Sequence, residues 1–157
     1  MGRLRLIEGA VDGSQPAEPS EALPDAEALD AYSRTVTSVA ERLRDSGFRV
    51  DAILSSTALR ARTTAAYFAA ALGLEVQEQE RLYGAPASQL LRAAAESGVG
   101  SVMVVAHDPG MSVLAGQLSG EIAHMPTCAV ATFSWAVDDW DVATAVDPDC
   151  WTFDAPR

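Results

Sequence analysis

Hydrophobic positions change period repeatedly along the chain, and each change marks an element. Residues 3–8, Arg-Leu-Arg-Leu-Ile-Glu, alternate polar and apolar before Gly9, which predicts a first strand. Val11 to Ala22 is dominated by Gly, Ser, Pro, Glu and Asp and predicts a loop. From Asp25, a suitable N-cap, Leu29, Tyr32, Val36, Val39, Ala40 and Leu43 recur at helical spacing to about Ser46, with Gly47 as the stop. Val50 to Leu54 is a short buried-type strand. Ala58 to Leu72 has no Gly or Pro and predicts a helix capped by Thr57 and closed by Gly73. Leu74 to Gln77 predicts a short strand, and Ala85 to Ser97 a helix ended by Gly98. Val102 to Ala106 is a β-branched run suited to a central strand. Met111 to Leu118 predicts a short helix. Ala129 to Ala136 and Val142 to Val146 predict two late strands joined by a turn at Asp138-Asp139.

Strands alternating with helices predict an α/β class: a three-layer α/β/α architecture around a mostly parallel sheet, as one domain over residues 1–157. Such sheets bind ligands at the carboxyl ends of their strands. Three predicted strand ends, Glu8-Gly9, Ser55 to Arg60, and His107, therefore converge on one crevice.

Composition narrows what that crevice meets. A 48% hydrophobic content supports a substantial core and excludes a disordered chain. The formal net charge is −11, and all 11 basic residues are arginine. This charge repels nucleic acid and anionic membranes, so neither is expected as a partner, and any phosphate pocket must rely on local cations. Cys128 and Cys150 are far apart and match no metal spacing; with two histidines in the chain, neither a metal nor another cofactor is expected. Free cytosolic thiols, and a cytoplasmic location, are the expectation. Leu4 to Ile7 is too short for a signal peptide, and no run approaches a membrane span.

The stretch Leu54-Ser55-Ser56-Thr57-Ala58-Leu59-Arg60-Ala61-Arg62-Thr63-Thr64-Ala65 is a strand–turn–helix junction. A helix N-terminus attracts anions, so Arg60 in the first turn points to an anion held between guanidinium and helix. Set against that is an Arg reaching solvent or pairing with a nearby acid. Arg62, two residues on, faces elsewhere, and His124 and Glu80 fit solvated surface positions.

This stretch resembles the Ser-x-x-x-Leu-Arg-Ala-x-x-Thr-Ala segment of the histidine phosphatase superfamily, in particular its SixA-type phosphohistidine phosphatases. Residues 101–111, Ser-Val-Met-Val-Val-Ala-His-Asp-Pro-Gly-Met, are similar to the same family's strand ending in Val-Gly-His-Asn-Pro-Gly. Arg81-Leu82-Tyr83, Met125-Pro126-Thr127 and the closing Trp-x-Phe-x-x-Pro-Arg are weaker echoes. The resemblance covers about residues 48–157. It implies a histidine-phosphatase-like fold, Arg60 as a phosphate-binding Arg and His107 as the second, phosphate-holding His, with Glu8, Gly9, Ser55 and Asp108 lining the pocket.

The resemblance also implies an Arg-His-Gly triplet at the end of the first strand, supplying a phosphate-binding Arg and the His that is phosphorylated. Here the triplet reads Glu8-Gly9-Ala10, or Ile7-Glu8-Gly9 after a one-residue slip, and neither alignment contains Arg or His. In-line attack on phosphorus through phosphohistidine needs an imidazole at that place. Exchanging Arg for Glu also swings the pocket by two charges, and one pair at 4 Å is worth up to about 4 kcal/mol at an effective dielectric near 20. The expectation is a pseudophosphatase with a vestigial pocket for phosphate or a small anion and a binding or regulatory role toward a protein partner. The alternative is a working phosphatase that uses His107 or a carboxylate such as Glu8. A further expectation is that Arg60 is half-buried and that Glu8 acts as its internal anion, raising the pKa of His107. The competing arrangement turns Glu8 to solvent and pairs Arg60 with Asp108 or a bound buffer ion.

Overall fold

The computed structural model of the protein describes residues 2–8, 26–47 and 49–155. The expectations for Gly9, Asp25 and the loop 11–22, and for the side chains of Leu29 and Tyr32, lie outside those residues. The elements run β1 (Gly2–Glu8), α1 (Ala26–Asp45), β2 (Ala52–Ser55), α2 (Leu59–Leu72), β3 (Val76–Glu78), a 3-10 turn (Glu80–Leu82), α3 (Ala87–Ala95), β4 (Ser101–Ala106), α4 (Gly110–Ser119), β5 (Val130–Trp135), α5 (Trp140–Ala143) and β6 (Cys150–Asp154).

The six strands form one sheet in the order β3-β2-β4-β1-β5-β6. β3, β2, β4 and β1 are mutually parallel; β5 runs antiparallel to β1, and β6 antiparallel to β5. The β-branched run Val102 to Val105 is the fully buried β4, at the sheet centre. Each strand then divides its side chains between two cores, as a period of two requires. Leu4, Leu6, Leu54, Val102 and Val104 face α3 and α4 through Leu90, Ala94, Met111 and Leu114. Ile7, Ile53, Met103 and Val105 face α1 and α2 through Val36, Val39, Ala65 and Phe68. The layered α/β/α architecture with helices on both faces is thus the one the pattern predicts.

Two local expectations do not hold. Residues 142–146 are not a strand. Asp139 accepts a hydrogen bond from the Asp141 N–H and caps the short α5, so the β-branched spacing of Val142 and Val146 falls on a helical turn. The last strand is β6, which pairs Ala131 with Phe153 and Phe133 with Trp151. Its residues are exposed or half-buried on both faces, so no alternation announced it. Thr57 is not the N-cap of α2 either. The cap position is Ala58, and it has no side-chain cap hydrogen bond. The Ser56 hydroxyl instead accepts from the Ala58 N–H at 3.2 Å. At the other end, Gly73 takes φ 70 and returns its N–H to the Ala69 carbonyl, as the left-handed stop requires.

One charge lies deep in the sheet. Arg5 is 0% exposed in the middle of β1, with Nε donating to the Thr132 hydroxyl of β5 at 3.4 Å. Burial, and then the neighbouring Arg3, push its guanidinium down to about 10.

Candidate anion crevice

The carboxyl ends of β1, β2 and β4 lie side by side because their registers are continuous: Glu8 pairs with Ala106, and Ser55 with Val105. Parallel pairing therefore brings Glu8, the Ser55–Ala58 turn and His107 to one edge of the sheet. β5 begins at the same edge, where Ile7 faces Val130. The segment from Glu121 to Ala129 accordingly comes to the crevice as well.

At the end of β1, Glu8 is 2% exposed. Its N–H donates to the Ala129 carbonyl at 3.2 Å, and its carbonyl accepts from the Cys128 N–H at 2.9 Å. The arrangement in which Glu8 turns to solvent is therefore overturned. Cys128 is itself buried at φ 63, a left-handed conformation that costs a non-glycine residue about 1–3 kcal/mol.

Ser55 is fully buried, and its hydroxyl donates to the Ser56 carbonyl at 2.8 Å, so it braces the turn. Arg60 is exposed, not half-buried. The desolvation cost that would have demanded a carboxylate against it does not arise. Arg62 turns away to Glu78 at 3.6 Å, on the solvent side.

His107 follows β4 directly. Both ring nitrogens are buried and meet no hydrogen-bond partner among the described residues. Burial first, and then the Arg60 guanidinium, hold the imidazole below its ordinary value, while Asp108 pulls the other way. This corrects the expectation that Glu8 raises it: the opposing carboxylate is Asp108. It also places Arg60 and His107 within electrostatic reach of each other.

The sequence Asp108-Pro109-Gly110 predicts a turn in which the Asp bonds its own backbone, but the carboxylate instead reaches into the helix that follows. Its Oδ1 accepts from the Ser112 N–H at 2.9 Å and from the Ser112 hydroxyl at 2.6 Å, so it ties down the first turn of α4. Its Oδ2 lies 3.4 Å from Nδ1 of the exposed His124. The Ser112 hydroxyl also accepts from the Met125 N–H at 2.8 Å. Ser112 thus joins the β4–α4 turn to the segment before β5. Sequence reasoning passed over it, since a lone Ser inside a helix carries no signal of its own. Gly110 shows how tight this corner is. A Cβ there would stand 2.1 Å from the Ala85 carbonyl oxygen and 3.1 Å from Leu90 Cδ1. No cluster among the described residues has the ligands for a metal ion, and no helix among them is long and apolar enough to cross a membrane.

With this geometry in place, comparison with known proteins gives the fold. Residues 33–87 match the family model of the histidine phosphatase superfamily (branch 1). No curated protein matches the chain. Among solved structures, the chain is similar to one titled phosphohistidine phosphatase SixA from Agrobacterium tumefaciens, at 24% identity, 99% coverage of this chain and 98% of that one, with a TM-score of 0.73. A SixA structure from Nakamurella multipartitia gives 21% identity, 99% and 96% coverage and a TM-score of 0.76. A protein histidine phosphatase SixA complexed with tungstate gives 20%, 97% and 94%, and 0.67. The fold is that of the SixA-like histidine phosphatases.

Proposed function

We propose that this chain is a pseudophosphatase: a histidine-phosphatase fold that binds a phosphate-like anion at its crevice and does not turn it over. The observation that carries the reading is the buried Glu8 at the end of β1, where the family resemblance implies the Arg or the His of the triplet. The chain's two histidines are His107, at the phosphate-holding position, and the exposed His124. Support for retained anion binding comes from the other wall. Arg60 lies close enough to depress His107, both buried ring nitrogens of His107 meet no hydrogen-bond partner among the described residues, and the α2 N-terminus has no side-chain cap. One of the similar structures holds tungstate, an oxyanion.

One observation favours a second reading. His107 is held toward its neutral form, which is the nucleophilic one. In that case His107 itself takes the phosphoryl group: an N–P bond forms, the leaving group departs with its electron pair, and water later hydrolyses the phosphohistidine.

Two measurements on the same protein separate the readings. Vanadate or phosphate is expected to raise the melting temperature, and Arg60→Ala to remove the rise. Neither phosphohistidine peptide nor p-nitrophenyl phosphate is expected to be hydrolysed above buffer. A turnover of even about 1 s⁻¹ that vanishes in His107→Ala, with phosphate trapped on His107, establishes the second reading. No thermal response to either anion removes the crevice as a binding site.

A further inference from the structure

The segment between β3 and α3 is fixed at both ends. The Gln79 N–H donates to the Ser55 carbonyl at 2.8 Å, at the end of β2. The Ala85 carbonyl lies against Gly110, the first residue of α4, where a Cβ would come within 2.1 Å of its oxygen. Residues 79–85 therefore cross the carboxyl edge of the sheet, from the Ser55–Ala58 turn to the corner that follows His107. Leu82 holds the crossing down in the α3/α4-side core at 0% exposure. Tyr83, the next residue, is turned outward and 66% exposed. Leu59, beside Arg60 at the first position of α2, is 70% exposed. These are the two most exposed large hydrophobic side chains among the described residues. Both stand at the edge that holds Arg60 and His107. The crossing segment adds no cation to that edge. Arg81 donates through Nε to Gln79 Oε1 at 2.8 Å and pairs with Glu96 at the end of α3. Glu80, in the same turn, is exposed and acidic.

We propose that the crevice selects phosphate monoesters of an aromatic group, with the phosphate at Arg60 and His107 and the ring packed on Tyr83 and Leu59. The inference rests on the reading of the crevice as an anion site, and it holds whether the ester is only bound or also turned over. Past the phosphate, a ligand meets a phenol ring and a leucine. A second anionic group there is repelled by Glu80 and finds no further cation in the turn. An uncharged ring removes apolar area from water on both sides and gains an offset or edge-to-face contact with Tyr83. A polyol phosphate of the same charge gains less, because its hydroxyls lose water against apolar groups. The ester comes either as a free small molecule or as a phosphotyrosyl side chain of a protein, and both present the same ring and dianion.

The test is a calorimetric titration of the whole chain with inorganic phosphate, glycerol phosphate, phenyl phosphate and a phosphotyrosyl peptide flanked by glycine and alanine. Phenyl phosphate is expected to bind about tenfold tighter than inorganic phosphate or glycerol phosphate. Tyr83→Ser and Leu59→Ser are each expected to narrow that ratio, the first to about twofold, and Tyr83→Phe to keep it. Val142→Ser, a change at an exposed valine of α5, is expected to leave it as it is. Melting curves report that each variant is folded. A peptide that binds about tenfold tighter than phenyl phosphate supports the proposal with a protein as the source of the ester, and equal or weaker peptide binding supports it with a free small molecule. The proposal is overturned by equal affinity for inorganic phosphate, glycerol phosphate and phenyl phosphate, or by a ratio unchanged in both serine variants; the anion site itself survives either result. If none of the four ligands binds, the anion site fails and the proposal fails with it.

Discussion

The ends of β1 and β4 are neighbours in one sheet, paired at Glu8 and Ala106, yet they differ in kind. The β4 end has an imidazole whose buried nitrogens meet no partner among the described residues, an aspartate anchored into α4, and a glycine pinned under the Ala85 carbonyl. The β1 end keeps its backbone pairing to β4 and β5 and presents a buried carboxylate. Both ends share the sheet's pairing, while the charges they present differ: a carboxylate at one and an imidazole at the other. Strand pairing depends on backbone and burial, and Glu8 satisfies both as well as another residue would. Anion affinity depends on the sum of charges around the crevice, so one substitution alters it without disturbing the fold.

The strongest way to break this contrast is to make the two ends alike. Glu8→Arg with Gly9→His restores the Arg and the His of the implied triplet, with Ala10 left in its third place. Each favourable charge pair at 4 Å is worth up to about 4 kcal/mol at an effective dielectric near 20, so phosphate affinity is expected to rise at least a hundredfold by calorimetry. A folded double mutant with unchanged affinity would show that the crevice differs in shape as well as charge.

A smaller effect is expected from disturbing the tight corner at the β4 end. Gly110→Ala places a methyl group 2.1 Å from a backbone oxygen, so backbone must move. The expected loss of stability is about 1–3 kcal/mol, read from denaturant unfolding. A neutral result would show that the Ala85 segment yields freely and that the corner is not rigid.

The smallest effect is a pH dependence. His107 sits below its ordinary value of 6.5 in the folded chain, through burial first and Arg60 second. The unfolded chain therefore takes up the proton first as pH falls. Stability is level above about pH 6.5, declines as pH drops from there to the folded value, and is level again below it. Bound phosphate opposes the decline, since an anion favours the charged imidazole. Melting temperatures of wild type and His107→Gln between about pH 7.5 and 5 check this; equal slopes in the two proteins would assign the decline to other groups.

Much of this contrast was legible in the sequence, and the reason is physical. The β-branched run of β4, the Gly73 stop and the Leu-Arg-Ala stretch each encode a local requirement, and the absence of Arg and His from residues 7–10 can be read directly. Side-chain environment was not legible. The exposure of Arg60 and the downward shift of His107 depend on how helices settle on the sheet, which no spacing records. Asp108 has turn chemistry and helix-capping chemistry in the same letters, and the position of Ser112 in α4 selected the second. Likewise, β6 is exposed on both faces, so period-two patterning had nothing to detect. The valines at 142 and 146 mimicked a strand beside a helix cap.

Arg5, buried in the middle of β1, bears on how the chain is made. β1 is synthesised first, but both of its neighbours, β4 and β5, lie in the second half of the chain. At about 5–20 residues per second on the ribosome, it waits several seconds for either of them. An unpaired run of leucine and isoleucine is the kind of segment that adheres to other nascent chains, and charges within such runs prevent it. Arg3 and Arg5 interrupt this one. The finished sheet then holds Arg5 at 0% exposure, with Nε on the Thr132 hydroxyl and its guanidinium pushed down to about 10.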